Sequence, residues 1–302
     1  MKTETHELAP EPVGCETAGD ERLRELFWTP VGAATADAAQ LRMGAHVLAL
    51  RCGSGATALA AAERTGPVGT VDAVDPSGPL IIRARGEAAA RRLSNVDFVQ
   101  GDVLTWPPRR GGYDSILCAG GTDAFRDPAS ARERLLQLMR PGGRLTVSVW
   151  AETALEPLAE TLLQAISLVE AVPGSASWST AVDSPTGTPA SLRDWLAERS
   201  LSFPDIRTHR LTLPADPDLL WPLLLRTRLK AVLDGLSPAT TACVRRRFAQ
   251  VLLAGRRDTF DVTVLIGTGT LCRVTSTPRA EDAGPRPGRT RPGDATRPPS
   301  PL

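Results

Sequence analysis

Residues 47–55 read Val47-Leu-Ala-Leu-Arg-Cys-Gly-Ser-Gly55, an apolar run that breaks into a glycine turn. An apolar run of this length reads as a short strand buried on both faces of a sheet. Gly53 and Gly55 let the backbone turn sharply and approach a ligand closely, and a predicted helix, Ala56–Arg64, starts over that turn. Asp75 closes the next predicted strand, twenty residues beyond Gly55, where a carboxylate can accept hydrogen bonds from a ribose. A strand, a glycine turn, a helix and an acid in this order mark an open α/β sheet with a nucleotide-type pocket.

Outward from this stretch the pattern alternates. Two helices, Glu21–Trp28 and Ala33–Leu41, precede the first strand, His46–Leu50. Strands at Thr70–Val74, Val96–Gln100, Tyr113–Ala119 and Arg144–Trp150 follow, with helices at Gly78–Leu93 and Ala129–Met139 between them. The second of these helices is expected to end at Pro141-Gly142-Gly143, a helix-stop signal. Apolar strands separated by helices imply a mostly parallel sheet covered on both faces. The second half differs. Helices are expected at Pro157–Val169, Ser191–Glu198, Asp216–Leu233 and Ser237–Leu253, with a Gly/Ser/Thr/Pro-rich loop over 173–189. Strands at Ile206–Leu213 and Thr259–Thr268 bracket the last two helices, which suggests an antiparallel edge pair with an inserted cap.

The chain of 302 residues is long enough for one large α/β domain with an insertion. Residues 1–19 and the Pro/Arg-rich tail 277–302 carry too few apolar groups to offset the entropy of ordering, and both are expected to be disordered. The domain therefore spans 20–276, with a cofactor half at 42–150 and substrate or cap elements at 20–41 and 151–258. A formal charge of +1 creates no long-range field, so neither nucleic acid nor an anionic membrane surface is favoured as a partner. Aromatic content of 4% also speaks against base-stacking platforms. The five cysteines (Cys15, Cys52, Cys118, Cys243, Cys272) and three histidines (His6, His46, His209) show no metal-ligand spacing, so no metal is expected. No apolar run approaches ~20 residues, and the first dozen residues lack an apolar leader core. A cytoplasmic protein without a membrane span is the expectation, with a homodimer left open.

Gly53-Ser-Gly55-Ala-Thr-Ala58 satisfies the GxGxxA dinucleotide pattern, so an NAD-dependent enzyme competes at this point. Three further features weigh against it. Asp102 follows the third strand in VDFVQGDV, Pro141-Gly142-Gly143-Arg144 precedes the fifth, and a terminal strand follows a helical excursion. Together the blocks VLALRCGSG (47–55), GTVDAVDPS (69–77), VDFVQGDV (96–103), YDSILCAGGTDAFRDP (113–128) and LMRPGGRLTVSVW (138–150) resemble the class I S-adenosylmethionine-dependent methyltransferases. Within them the chain is similar to the small-molecule branch of quinone-biosynthesis C-methyltransferases. The resemblance implies a Rossmann-like, doubly wound, mostly parallel sheet with a C-terminal antiparallel strand pair and helical cap insertions. It implies S-adenosyl-L-methionine as cofactor and a small-molecule acceptor. Carried over residue by residue, Arg51, Cys52, Gly53 and Gly55 would contact the methionine end and Asp75 the ribose hydroxyls. Pro76 would pack on adenine, Asp102 would face its amino group with Val103 beside it, and Cys118 and Ala119 would line the floor under the sulfonium. Each has a plainer reading: Asp75 as a helix cap, Asp102 as a turn residue, Cys118 as packing.

Two residues of the opening stretch depart from the family, which commonly carries an acid at 49 and a small residue at 51; here they are Ala49 and Arg51. The strand exit Ala119-Gly120-Gly121 lacks polar side chains too. Arg51 could pair with a cofactor carboxylate or fill its site. The leading reading is methyl transfer to a small, largely apolar metabolite, walled by Trp28, Trp150, Trp178 and Trp221 and roofed by Phe27, Trp28 and the variable elements at 157–169, 173–189 and 216–253. The second is a catalytically silent or repurposed methyltransferase fold, a ligand-binding partner or a cyclase-type enzyme. Methyl transfer needs alignment more than acid–base groups. No catalytic residue is assigned; Asp123 and His209 are the base candidates, each with a plainer role as a loop or edge-strand residue.

Overall fold

The computed structural model describes residues 18–102, 105–119, 125, 127–169 and 186–272. The chain enters as a continuous helical run: α1 (Ala18–Leu23), a five-residue π-helical segment (Arg24–Trp28) and α2 (Thr29–Ala38). The helix thus begins at Ala18, inside the stretch 1–19 expected to be disordered, and it has no break at 29–32. Alternation then follows as β1 (His46–Leu50), α3 (Ala56–Thr65), β2 (Thr70–Asp75), α4 (Gly78–Ala90), β3 (Val96–Gln100) and β4 (Tyr113–Ala119). Local signals set the boundaries. Asn95 donates its side-chain amide to the Ala62 and Gly66 carbonyls, closing the end of α3, at 2.9 and 2.8 Å. The Asp127 carboxylate accepts from the Ser130 N–H at 2.8 Å and starts α5 (Pro128–Leu138).

The Pro-Gly-Gly turn does not end α5. That helix stops at Leu138, and strand β5 (Met139–Trp150) already includes Pro141–Gly143 as an irregular first stretch, with a register shift against β4 between Tyr113 and Ser115. Proline bars helix at the residue before it and cannot donate to a ladder, so an irregular strand start satisfies both restrictions. After α6 (Glu156–Ser167) and α7 (Pro189–Glu198) come β6 (Leu201–His209), β7 (Thr212–Pro214), α8 (Pro217–Leu225), a 3₁₀ turn (Arg228–Val232), α9 (Pro238–Ala254), β8 (Thr259–Asp261) and β9 (Val264–Leu271).

Seven strands form one sheet in the order β3-β2-β1-β4-β5-β9-β6, and β7 and β8 form a separate pair. β1 to β5 run parallel, while β9 is antiparallel to both β5 and β6. The sequence expectation of one strand at 206–213 is corrected. β6 starts earlier, at Leu201, and bulges between Ser202 and Asp205, and Leu213 belongs to the small sheet. Likewise 259–268 is two strands, separated at Val262-Thr263. The core lies in three clusters. Two sandwich the parallel strands, one around Leu48, Ile116 and Leu145 and the other around Val47, Leu59 and Phe98. The third binds α1–α2, α6, α8 and α9 around Phe27, Leu162, Leu220 and Phe248.

Candidate functional site

The sheet order reverses direction between β1 and β4, and there the carboxyl ends of parallel strands open a crevice. An open cleft of about 870 Å³, solvent at its mouth included, lies at this point. Its floor is the turn after β1 (Arg51, Cys52, Gly53, Ser54), the first turn of α3 (Ala56, Thr57), Asp75 at the end of β2, and Ala119 at the end of β4. Asp20, Arg24, Trp28, Val31 and Gly32 from the N-terminal helix face them. Leu80 and Arg83 of α4 and Arg226, just after α8, complete the wall.

The turn is built by three positive φ angles, at Arg51, Gly53 and Gly55, and a carboxylate. Gly53 and Gly55 sit at φ +54° and +94°. A Cβ on Gly53 would meet nothing within 4 Å, so this peptide faces the open cleft, whereas one on Gly55 would press at 3.1 Å on Phe98 and Ala84. Gly55 therefore lies beneath the turn and not on the ligand side. Asp75, 7% exposed, accepts from the Gly53 N–H through Oδ2 and from the Ser77 N–H through Oδ1, both at 2.9 Å. It clamps the glycine turn to the start of α4, whose N-cap is Ser77. A carboxylate has about four acceptor positions, so two more remain.

Of the remaining described residues predicted to form the site, Arg51, Cys52, Gly53, Asp75 and Ala119 converge on the cleft, and three (Cys118, Pro76 and Asp102) do not. The strand pleat turns Cys118 to the face of Ile116, where it is 0% exposed within the core. Pro76 is exposed and outside the cleft, pushed outward because Ser77 folds back on Asp75; its carbonyl accepts from the Gln100 side chain at 3.1 Å. Asp102 is exposed, lies in the field of Arg134 and does not line the cleft. Val103 lies outside the described residues, as do Asp123, Gly120–Gly121 and Trp178. His209 ends β6 far along the sheet, with its buried Nε2 unpartnered, and does not reach the cleft. Among the described aromatic residues expected around the acceptor, only Trp28 borders it. Phe27 stacks on Trp150 at 4.9 Å, and Trp221 packs on Phe248 at 5.5 Å, all within the core of the N-terminal helix and the insertion.

Cys52 is buried, and burial together with the neighbouring Asp75 charge pushes its thiol well above the ordinary range. It stays neutral and is no nucleophile. Ala49 is 1% exposed and packed with Val47 and Ala58, so the departure at 49 removes a charge from an apolar layer without opening a void to the cleft. Arg51 is different. It is exposed at the cleft floor with φ +50°, a conformation that favours glycine. The sequence missed Asp20, Gly32, Leu80, Arg24, Arg83 and Arg226. Two of the pairs are distant in the chain, Arg226 with Asp20 at 3.0 Å and Arg83 with Glu21, while Arg24 pairs with the same Glu21 one helical turn away.

The sheet order and the cleft at its switch point define a class of fold: a Rossmann-like, doubly wound and mostly parallel sheet with an antiparallel strand pair at one edge. A methyltransferase-domain profile matches residues 47–143, the segment that carries the glycine turn and Asp75. Nocamycin O-methyltransferase of Saccharothrix syringae is 34% identical over 119 residues, covering 39% of this chain and 42% of that protein. Aklanonic acid methyltransferase of Streptomyces is 32% identical over 127 residues, covering 41% of this chain and 57% of the relative. The chain thus matches about half the length of these curated relatives. The YcgJ protein of Bacillus subtilis shares the fold, with a TM-score of 0.51 at 18% identity over 80% of this chain and 98% of its own. No helix among the described residues is long and apolar enough to cross a membrane.

Proposed function

We propose that this protein transfers a methyl group from S-adenosyl-L-methionine to a small, largely apolar acceptor held in the cleft. The observation that carries this reading is the clamp of Asp75 on the glycine turn, with an open Cα at Gly53, Ala119 beside it on the floor, and the apolar side chains of Trp28, Val31 and Leu80 on the wall. The residues fit the cofactor at its ribose and methionine ends. Asp75 retains acceptor positions, and the space above Gly53 is one that any Cβ would intrude upon. The adenine side fits less well, because Asp102 and Pro76 do not line the cleft. The bound cofactor supplies a methyl carbon already activated by a sulfonium. The protein's share is alignment, which can lower a barrier by roughly 7–11 kcal/mol. Asp75 fixes the turn, Trp28 and Val31 exclude water, and the neutral Cys52 thiol offers no competing acceptor. Among the described residues, the two carboxylates that line the cleft are already engaged, Asp75 with the Gly53 and Ser77 N–H groups and Asp20 with Arg226. The two named relatives methylate, by their names, nocamycin and aklanonic acid, and this supports a small molecule as acceptor. We assign the cofactor to the 42–150 half and the acceptor to the elements around it.

The silent-fold reading is favoured by one observation, the strained Arg51 at the cleft floor. Calorimetric titration with S-adenosylmethionine, S-adenosylhomocysteine and NAD decides between them. The first two should bind and NAD should not, and Asp75→Ala should weaken binding by ~1–3 kcal/mol. No heat at millimolar cofactor overturns the methyltransferase reading in favour of the silent fold.

A further inference from the structure

Among the described residues, four guanidinium groups line the cleft, and three are already committed to carboxylates. Arg24 and Arg83 pair with Glu21, and Arg226 pairs with Asp20. Arg51 makes no hydrogen bond or ion pair among the described residues, yet it borders the same space as Gly53 and Ser54. Its backbone sits at φ +50°, a conformation that strains any residue with a β-carbon relative to glycine. A strained residue with an uncommitted charge at a cleft floor points to a function that offsets the strain. The Gly53 N–H beside it is already taken by Asp75, so the turn has given up one donor that an incoming anion would otherwise meet. We propose that Arg51 is the anion-binding residue of this cleft and receives the carboxylate at the amino-acid end of the cofactor, so that a side-chain guanidinium does what glycine in this turn leaves to backbone. The inference rests on the methyltransferase reading. A guanidinium offers a carboxylate two parallel donors, a geometry that an ammonium lacks.

Truncating the ligand tests the pairing without any turnover. S-adenosylhomocysteine carries the carboxylate; 5′-methylthioadenosine keeps the nucleoside and lacks it. Both are titrated calorimetrically into the wild-type protein, Arg51→Gly and Arg51→Lys. The expected result is a roughly 10- to 100-fold weaker grip on S-adenosylhomocysteine in Arg51→Gly with methylthioadenosine unchanged, and partial recovery in Arg51→Lys. Unchanged or tighter S-adenosylhomocysteine binding in Arg51→Gly overturns the proposal, and so does an equal loss for both ligands. Failure of the wild-type protein to bind either nucleoside overturns the methyltransferase reading itself, a separate outcome. Thermal unfolding without ligand guards against misfolding: Arg51→Gly should melt at or above the wild-type temperature, since glycine accepts this φ without strain.

Discussion

The parallel half of the sheet and the helical insertion between β6 and β9 relate to the cleft in opposite ways. In the parallel half, strand ends and turns are themselves the site: Cys52, Asp75 and Ala119 each lie at the end of a buried strand or in the turn after it. In the insertion, α8 and α9 spend their apolar faces on one another, on α6 and on α1–α2, and only Arg226 reaches the cleft. The first region makes a site by topology, because parallel strands must end at one edge. The second contributes by holding the N-terminal helix in place. That helix serves both, with Phe27 in the insertion's core and Trp28, the next residue, at the cleft.

The largest test of this division is Phe248→Ala. Phe248 is fully buried against Trp221, so the cavity should cost ~3–5 kcal/mol in urea unfolding. The folded fraction should bind S-adenosylhomocysteine as the wild type does. A matching loss of affinity would show that the insertion shapes the cofactor site directly and would break the comparison.

Gly32→Ala probes the seam where the N-terminal helix meets the parallel half. An added Cβ would lie 2.7 Å from the backbone of Ala56 and Thr57, which are rigid main chain in the first turn of α3. Overpacking of this kind costs ~1–3 kcal/mol, and the displaced turn should weaken cofactor binding as well. Retained affinity would mean that α2 can shift without disturbing the floor.

Tyr113 reports on the parallel half alone, because it is the single tyrosine of the chain. Its hydroxyl donates to Asp72 at 2.6 Å and accepts from Trp106 at 3.1 Å. Burial, first, and the Asp72 carboxylate push its pKa up to about 12. The folded value exceeds the unfolded one of about 10, so the neutral form belongs to the native state. Its contribution to stability is complete below pH 10 and is lost as pH rises toward 12. Absorbance of tyrosinate should titrate near pH 12 in the native protein and near 10 in denaturant. Tyr113→Phe should abolish the signal and cost ~1–2 kcal/mol by leaving Trp106 and Asp72 without this partner.

How much of this was legible in the sequence follows the same division. β3 and β4 were readable to the residue, because both run between Gly or polar turns, and Asp216 and Ser237 announced the starts of the helices they cap at 217 and 238, although the single helix expected over 216–233 is α8, ending at Leu225, and a separate 3₁₀ turn at Arg228–Val232. Turn chemistry is local, so Gly53, Gly55 and Asp75 could be placed from spacing. The bulge at Phe203, with φ +55°, and the split at Val262-Thr263 depend on pairing with distant strands, so one apolar run was read where two elements exist. The cleft's far wall was illegible for the same reason. Nothing near Arg226 in the chain signals that it meets Asp20.

That pair supplies the smallest and sharpest test. Arg226 and Asp20 are 32% and 18% exposed at 3.0 Å, and a second pair, Arg22 with Asp216 at 2.5 Å, joins the same two elements. Exposed or half-exposed pairs contribute between 0 and ~1 kcal/mol, since solvent screens the attraction and two long side chains must be ordered. A double-mutant cycle of Asp20→Ala and Arg226→Ala should therefore give a coupling below ~1 kcal/mol that shrinks in added salt. If packing in the Phe248 core is what holds the insertion to α1, the single variants should unfold near the wild-type midpoint. A coupling of several kcal/mol would mean that the ion pair, and not the apolar core beneath it, fixes the wall of the cleft.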